Sequence, residues 1–187
     1  LFVLFFSSSV LAEDISDFQI EGISVGDSLL DYFTLEEIVN NAETRNFNDN
    51  SFYEIEIKSS KYKDYQSMSF NLKSNDKNYI IYGVIGTIFY RYDPKKCIYK
   101  KKEIEKEINL ISQNAERIDH GTGSHWYDKT NKSKVTQVEF YFDKGKGSIV
   151  ISCYDWSKKI TNELGWTDNL SVEIYLEEFA NFLREQS

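Results

Sequence analysis

The run YIIYGVIGTIFYRY, Tyr79 to Tyr92, is apolar or aromatic at almost every position and does not alternate. A strand with one wet face alternates, whereas a run of this kind is expected of a central strand covered on two sides. Gly83 and Gly86 fall inside it, where the missing side chain bends a strand or admits a close neighbour. Asp93-Pro94 ends the run, because proline cannot continue a ladder. Whatever else the chain does, it has to build a core around this segment.

Other segments alternate and read as strands with one buried face. Phe52 to Lys58 puts Tyr53, Ile55 and Ile57 on one side and Glu54 and Glu56 on the other. Met68, Phe70 and Leu72 follow the same period, before turn chemistry at Ser74 to Lys77. Val138, Phe140 and Phe142 alternate up to the turn DKGKG, and Ile149, Ile151 and Cys153 alternate after it, which reads as a β-hairpin. Leu170, Val172, Ile174 and Leu176 form the last alternating set.

Helices are expected between these strands. Ser28 to Phe33 reads as one short helix, with Asp27 receiving its free N–H groups. Thr34 and Glu37 spell a capping box for a second, carrying Ile38, Val39 and Ala42. An Asn-rich loop at 44–51 follows. Lys100 to Ile118 predicts the longest helix, because Ile104, Ile108, Ile111, Ala115 and Ile118 recur at helical spacing. A closing helix carries Phe179, Phe182 and Leu183. The expected class is α+β: an antiparallel β-sheet with helices packed on one face, in the order α-βββ-α-βββ-α. With one proline and nine glycines in 187 residues, no linker divides the chain. Residues 13–187 therefore read as a single domain. Its halves, 20–95 and 96–187, share a plan, and a degenerate tandem duplication rests on element order alone.

Residues 1–12, LFVLFFSSSVLA, are apolar over far less than the ~20 residues needed to span a bilayer. They fit a secretory signal with Val10 and Ala12 before the cleavage point, so the mature chain is expected to start at Glu13. That residue is not the Cys a lipoprotein anchor requires. The expected location is periplasmic or secreted. A net charge of −8, and no Lys or Arg before Arg45, oppose phosphate backbones and anionic lipid. Nucleic acid and membrane surfaces are thus poor partners. The basic runs Lys58 to Lys63 and Lys95 to Lys102 read as solvated faces, with a docking patch for an acidic partner as the second reading.

Cys97 and Cys153 are the two cysteines, and an exported chain with an even count is expected to pair them. Neither has a CxxC partner, so no metal or cofactor is assigned. Asp119, His120, Ser124 and His125 hold the residue types of a hydrolytic triad, but adjacent residues in one loop seldom aim at each other. Glu54 and Glu56 share a strand face, as solvated carboxylates do. No catalytic residue is assigned. The aromatic set carries more weight. Trp126, Tyr127, Tyr154, Trp156 and Trp166 fall in or beside loops, where Tyr and Trp offer large contact area at low entropy cost. The other reading is that they plug the sheet ends as core.

The segments IEGISVGDSLLDYFTLEEI (20–38) and YIIYGVIGTIFY with its Cys- and Lys-rich continuation (79–102) resemble small exported proteins of marine, Pelagibacter-like alphaproteobacteria. The helix starts and the element order more loosely resemble the BamE-like outer-membrane assembly lipoproteins and the tandem β-lactamase-inhibitor proteins. These resemblances imply an envelope setting and no transferable activity. The expected function is a non-catalytic exported binding or envelope-associated module whose partner is another envelope or exported protein. The alternatives are an exported hydrolase using the 119–128 loop, and a protein inhibitor of an exported enzyme.

Overall fold

The computed structural model describes residues 14–47, 49–91, 93–112, 115–142 and 147–186. The expected leader, 1–12, lies outside the described residues. The strands are β1 (Ala42–Asn46), β2 (Phe52–Ile57), β3 (Ser67–Lys73), β4 (Ile81–Phe89), β5 (Ala115–Ser124), β6 (Lys134–Phe142), β7 (Gly147–Asp155) and β8 (Asn169–Tyr175). The helices are α1 (Leu35–Asn41), α2 (Pro94–Ile111), α3 (Lys158–Leu164) and α4 (Glu177–Glu185), with 3-10 turns at Ile15–Asp17 and Leu29–Asp31. One 8-stranded sheet runs β1-β2-β3-β4-β8-β7-β6-β5, antiparallel throughout. It is two four-stranded meanders joined through their last strands, β4 and β8. The α+β class with a large antiparallel sheet is as expected.

β4 occupies a middle position and is covered on both sides. Ile81 and Val84 enter the main core, while Tyr82 and Ile85 pack toward a second cluster on the other face. Gly86 admits a close neighbour: a Cβ there would sit 2.4 Å from the Tyr65 ring. Tyr65 is held in place by Glu21, whose Oε1 accepts the backbone N–H groups of Lys63, Asp64 and Tyr65 at 2.9, 2.7 and 3.1 Å.

The expected order α-βββ-α-βββ-α is corrected to four strands in each half. The unexpected strands, β1 (AETRN) and β5 (AERIDHGTGS), are the two edges of the sheet. An edge strand has one neighbour and little core contact, so it needs no apolar alternation, and its state is set by the ladder of the strand beside it. Ala42, assigned to a helix by its spacing, instead pairs with Ile57. Ala115 and Ile118, assigned to the long helix, pair with Phe142 and Glu139.

The long helix is likewise shifted. α2 starts at Pro94, and the Asp93 carboxylate accepts the Lys96 N–H at 3.2 Å, a favourable cap-and-proline start. It stops at Ile111, where the Ser112 hydroxyl donates to the Ile108 carbonyl at 2.6 Å. Ile104 and Ile108 are its buried isoleucines. The capping box at Thr34 forms as expected: Thr34 N–H donates to Glu37 at 2.9 Å and Glu37 N–H to Thr34 Oγ1 at 3.1 Å. At the preceding turn Ser28, not Asp27, is the cap. Asp27 instead accepts from the Ser24 N–H and the Tyr32 hydroxyl.

Helices lie on both faces, which corrects the one-face expectation. The core under α2 takes Ile149, Ile151, Val172 and Ile174. Val150 and Tyr175 are out of phase with these, so their side chains point to the opposite face. There α4 covers them, with Phe179 and Phe182 each 5.0 Å from the Phe52 ring. The expected disulfide is present: Cys97 in the first turn of α2 is bonded to Cys153 of β7, with Cα atoms 5.9 Å apart.

Candidate functional site: an aromatic cluster at one end of the sheet

The five aromatic residues singled out from the sequence come together, with His125 among them. They arrive from three segments: the 125–133 turn between β5 and β6, the end of β7, and the link from α3 to β8. Tyr154 and Trp156, two residues apart, have parallel rings 5.4 Å between centroids. Trp166 stands edge-on to Trp156 at 4.6 Å and tilts against Tyr127 at 5.0 Å. The His125 ring packs on Trp156 at 4.6 Å and parallel to Trp126 at 5.8 Å. Trp126 is 75% exposed and Tyr127 42%, whereas Tyr154, Trp156 and Trp166 are half-buried. The inner rings close the sheet end, and the outer pair faces solvent.

The frame behind these rings is polar. Asp128 is buried and accepts from Thr130 N–H and hydroxyl at 2.9 and 2.6 Å, and from Ser133 N–H and hydroxyl at 2.9 and 2.7 Å. The Ser133 hydroxyl in turn accepts the Ser157 N–H at 3.0 Å, tying the turn to the start of α3. Asp168 accepts the Trp156 N–H at 2.7 Å. Gly165, at φ 72°, ends α3 in the left-handed region and delivers Trp166. No helix was expected at 158–164. Its marks were in the sequence: Ser157 as N-cap, with its hydroxyl accepting the Ile160 N–H at 3.4 Å, and Gly165 after the last turn.

The hydrogen bonds from Thr130 and Ser133 hold the Asp128 carboxyl well below its ordinary value of 3.8. A carboxyl lowered by folding adds stability that is present above its unfolded value and is lost as pH falls toward the lowered one. In the wild type, the emission maximum of the half-buried Trp156 and Trp166 is therefore expected to stay constant from neutral pH to about pH 4 and to shift red only in stronger acid. Asp128→Asn is expected to show the red-shifted emission already at neutral pH. A variant with the wild-type spectrum and acid profile would show that this carboxylate does not hold the turn.

The four triad-type residues form no relay. His120 Nε2 lies 3.2 Å from Glu139. Ser124 Oγ accepts from Lys134 at 2.9 Å. Asp119 accepts the Gly121 N–H at 2.9 Å and pairs with Arg117. His125 Nδ1 accepts the Tyr127 N–H at 3.3 Å, and burial lowers the His125 pKa, which favours the neutral ring. Glu54 pairs with Arg45 at 2.8 Å, and Glu56 accepts from the Ser67 hydroxyl at 2.5 Å. Lysines of the basic runs pair nearby: Lys61 with Glu37, Lys100 with Glu103, and Lys101 with Glu105. Among the described residues, no group of three or more His, Cys, Asp or Glu is placed to hold a metal ion. Among the same residues, no helix is long and apolar enough to cross a membrane.

The sequence did not point to the depression beside Trp156. About 600 Å³ opens there between the end of β4 and α3, with Arg91, Asp155 and Asn162 in its lining. Comparison with known proteins finds no matching family model, no matching curated protein and no matching solved structure. The functional reading therefore rests on the site's own chemistry.

Proposed function

We propose that the chain is an exported, non-catalytic binding module that meets another envelope or exported protein through its aromatic cluster. The observation that carries this is the exposed pair Trp126 and Tyr127, with Tyr127 backed by half-buried Trp166 and Trp126 by the neighbouring His125 ring. A large ring held by packed neighbours loses little entropy when a partner covers it, which is the profile of an interface anchor. The Cys97–Cys153 bond supports an oxidising compartment. Inhibition of an exported enzyme would use the same face and differ only in the partner.

A photo-crosslinking residue at position 126 is expected to give one discrete adduct with envelope extract. The same residue at Val39, exposed on α1, is expected to give none. Trp126→Ala with Tyr127→Ala should weaken the purified pair by about 2 kcal/mol, roughly 30-fold in Kd. Equal labelling from positions 126 and 39, or no loss of affinity in the double variant, would overturn the reading.

A further inference from the structure

The depression beside Trp156 is lined by Arg91, Asp155, Lys158, Thr161 and Asn162. Among the described residues, the side chains of these five make no hydrogen bond and no ion pair. Lys158 and Asn162 are four residues apart on α3 and share one helix face. At about 600 Å³ the space is of the size that holds small organic ligands.

The hydrogen-bonding inventory narrows the ligand. Arg91 and Lys158 only donate, ionised Asp155 only accepts, and Asn162 and Thr161 do both. An anion would face the Asp155 and Asp168 carboxylates, and a cation would face Arg91 and Lys158. Hydroxyl groups both donate and accept, so a polyol satisfies every lining group without leaving a charge opposed. Trp156, half-buried against Tyr154, His125 and Trp166, adds apolar contact beside that polar rim. A hexopyranose ring has this combination, with C–H groups on one face and hydroxyls around its edge.

We propose that this depression binds a neutral hexopyranose unit of a glycan, with Trp156 beside it and hydrogen bonds at its rim from Arg91, Asp155 and Asn162. The site goes beyond the protein-contact reading and shares only Trp156 with it. Asp168 shapes the pocket from beneath by fixing the Trp156 backbone. Burial and the Asp168 charge raise the Asp155 pKa, which a neutral hydroxyl partner tolerates better than an anionic one would.

The test is calorimetric titration of the disulfide-bonded chain with maltotriose, cellotriose and fully N-acetylated chitotriose. At least one is expected to saturate with a Kd of about 1 mM or tighter. Arg91→Ala and Asn162→Ala are each expected to weaken it about 10-fold. Their melting temperatures should change little, because neither side chain has a hydrogen bond or ion pair to lose. No binding of any of the three sugars at about 10 mM, affinity unchanged in both variants, or binding of lysine or glycine betaine alone would each overturn the proposal. The position-126 adduct, repeated in the Arg91→Ala chain, separates the two readings. An adduct that survives there while sugar binding is lost supports two separate sites; a wild-type chain that forms the adduct but binds none of the three sugars sinks the glycan site and leaves the protein-contact face standing.

Discussion

Replacing Cys97 and Cys153 together by serine is expected to lower the melting temperature by about 8–16 °C. The bond joins residues 56 apart in sequence. In the chain-entropy model, releasing a loop of that length costs about 4 kcal/mol. At about 2–4 °C per kcal/mol for a chain of this size, the stated shift follows. The bond runs from the first turn of α2 to β7, so it joins the helix layer to the sheet across the main core. Thermal unfolding of wild type and double variant without reductant measures the effect. Adding dithiothreitol to the wild type should bring its melting curve to that of the variant. A shift below about 2 °C would show that the link constrains little.

Phe70→Ala is expected to cost about 3–5 kcal/mol. Phe70 is 0% exposed, stands between Ile55 and Val84 in register, and has the Phe33 ring 5.9 Å away. Removing its ring leaves a void enclosed by strands on two sides, where the lining cannot relax far. Urea unfolding should show a lower midpoint with the slope unchanged. Phe70→Leu, which refills part of the space, should lose less. A loss under about 1 kcal/mol for the alanine variant would place Phe70 outside the close-packed core.

Legibility followed burial. Ile55, Phe70, Val138 and Val172 were readable as core because each stands between polar neighbours in its strand, so the period of two marks one face as apolar. β4 was readable as central because it has no wet face. β1 and β5 were not, since an exposed edge leaves composition unconstrained and only the neighbouring ladder holds the strand. The isoleucine series of α2 misled for a related reason. Ala115 and Ile118 continued its spacing by coincidence, although α2 ends at Ile111 and both residues belong to β5.

At the candidate site the residue types were legible and their company was not. Trp126, Tyr127, Tyr154, Trp156 and Trp166 stood out as aromatics near loops. That they converge depends on the Asp128 turn, the Ser133–Ser157 contact and α3, which bring distant segments together. The depression beside Trp156 left no mark in the sequence, because Arg91, Asp155 and Asn162 are ordinary surface residues until the fold sets them around one space.

By itself the sequence determined the α+β class, the buried faces of most strands, the start of α1 and the pairing of its two cysteines. Each of these is a local or compositional consequence of where apolar and capping groups stand. Only the tertiary structure decided the eight-stranded order, the placement of α4 on the face opposite α2, and the meeting of the aromatic rings. Those depend on contacts between residues far apart in the chain, and no local period encodes them.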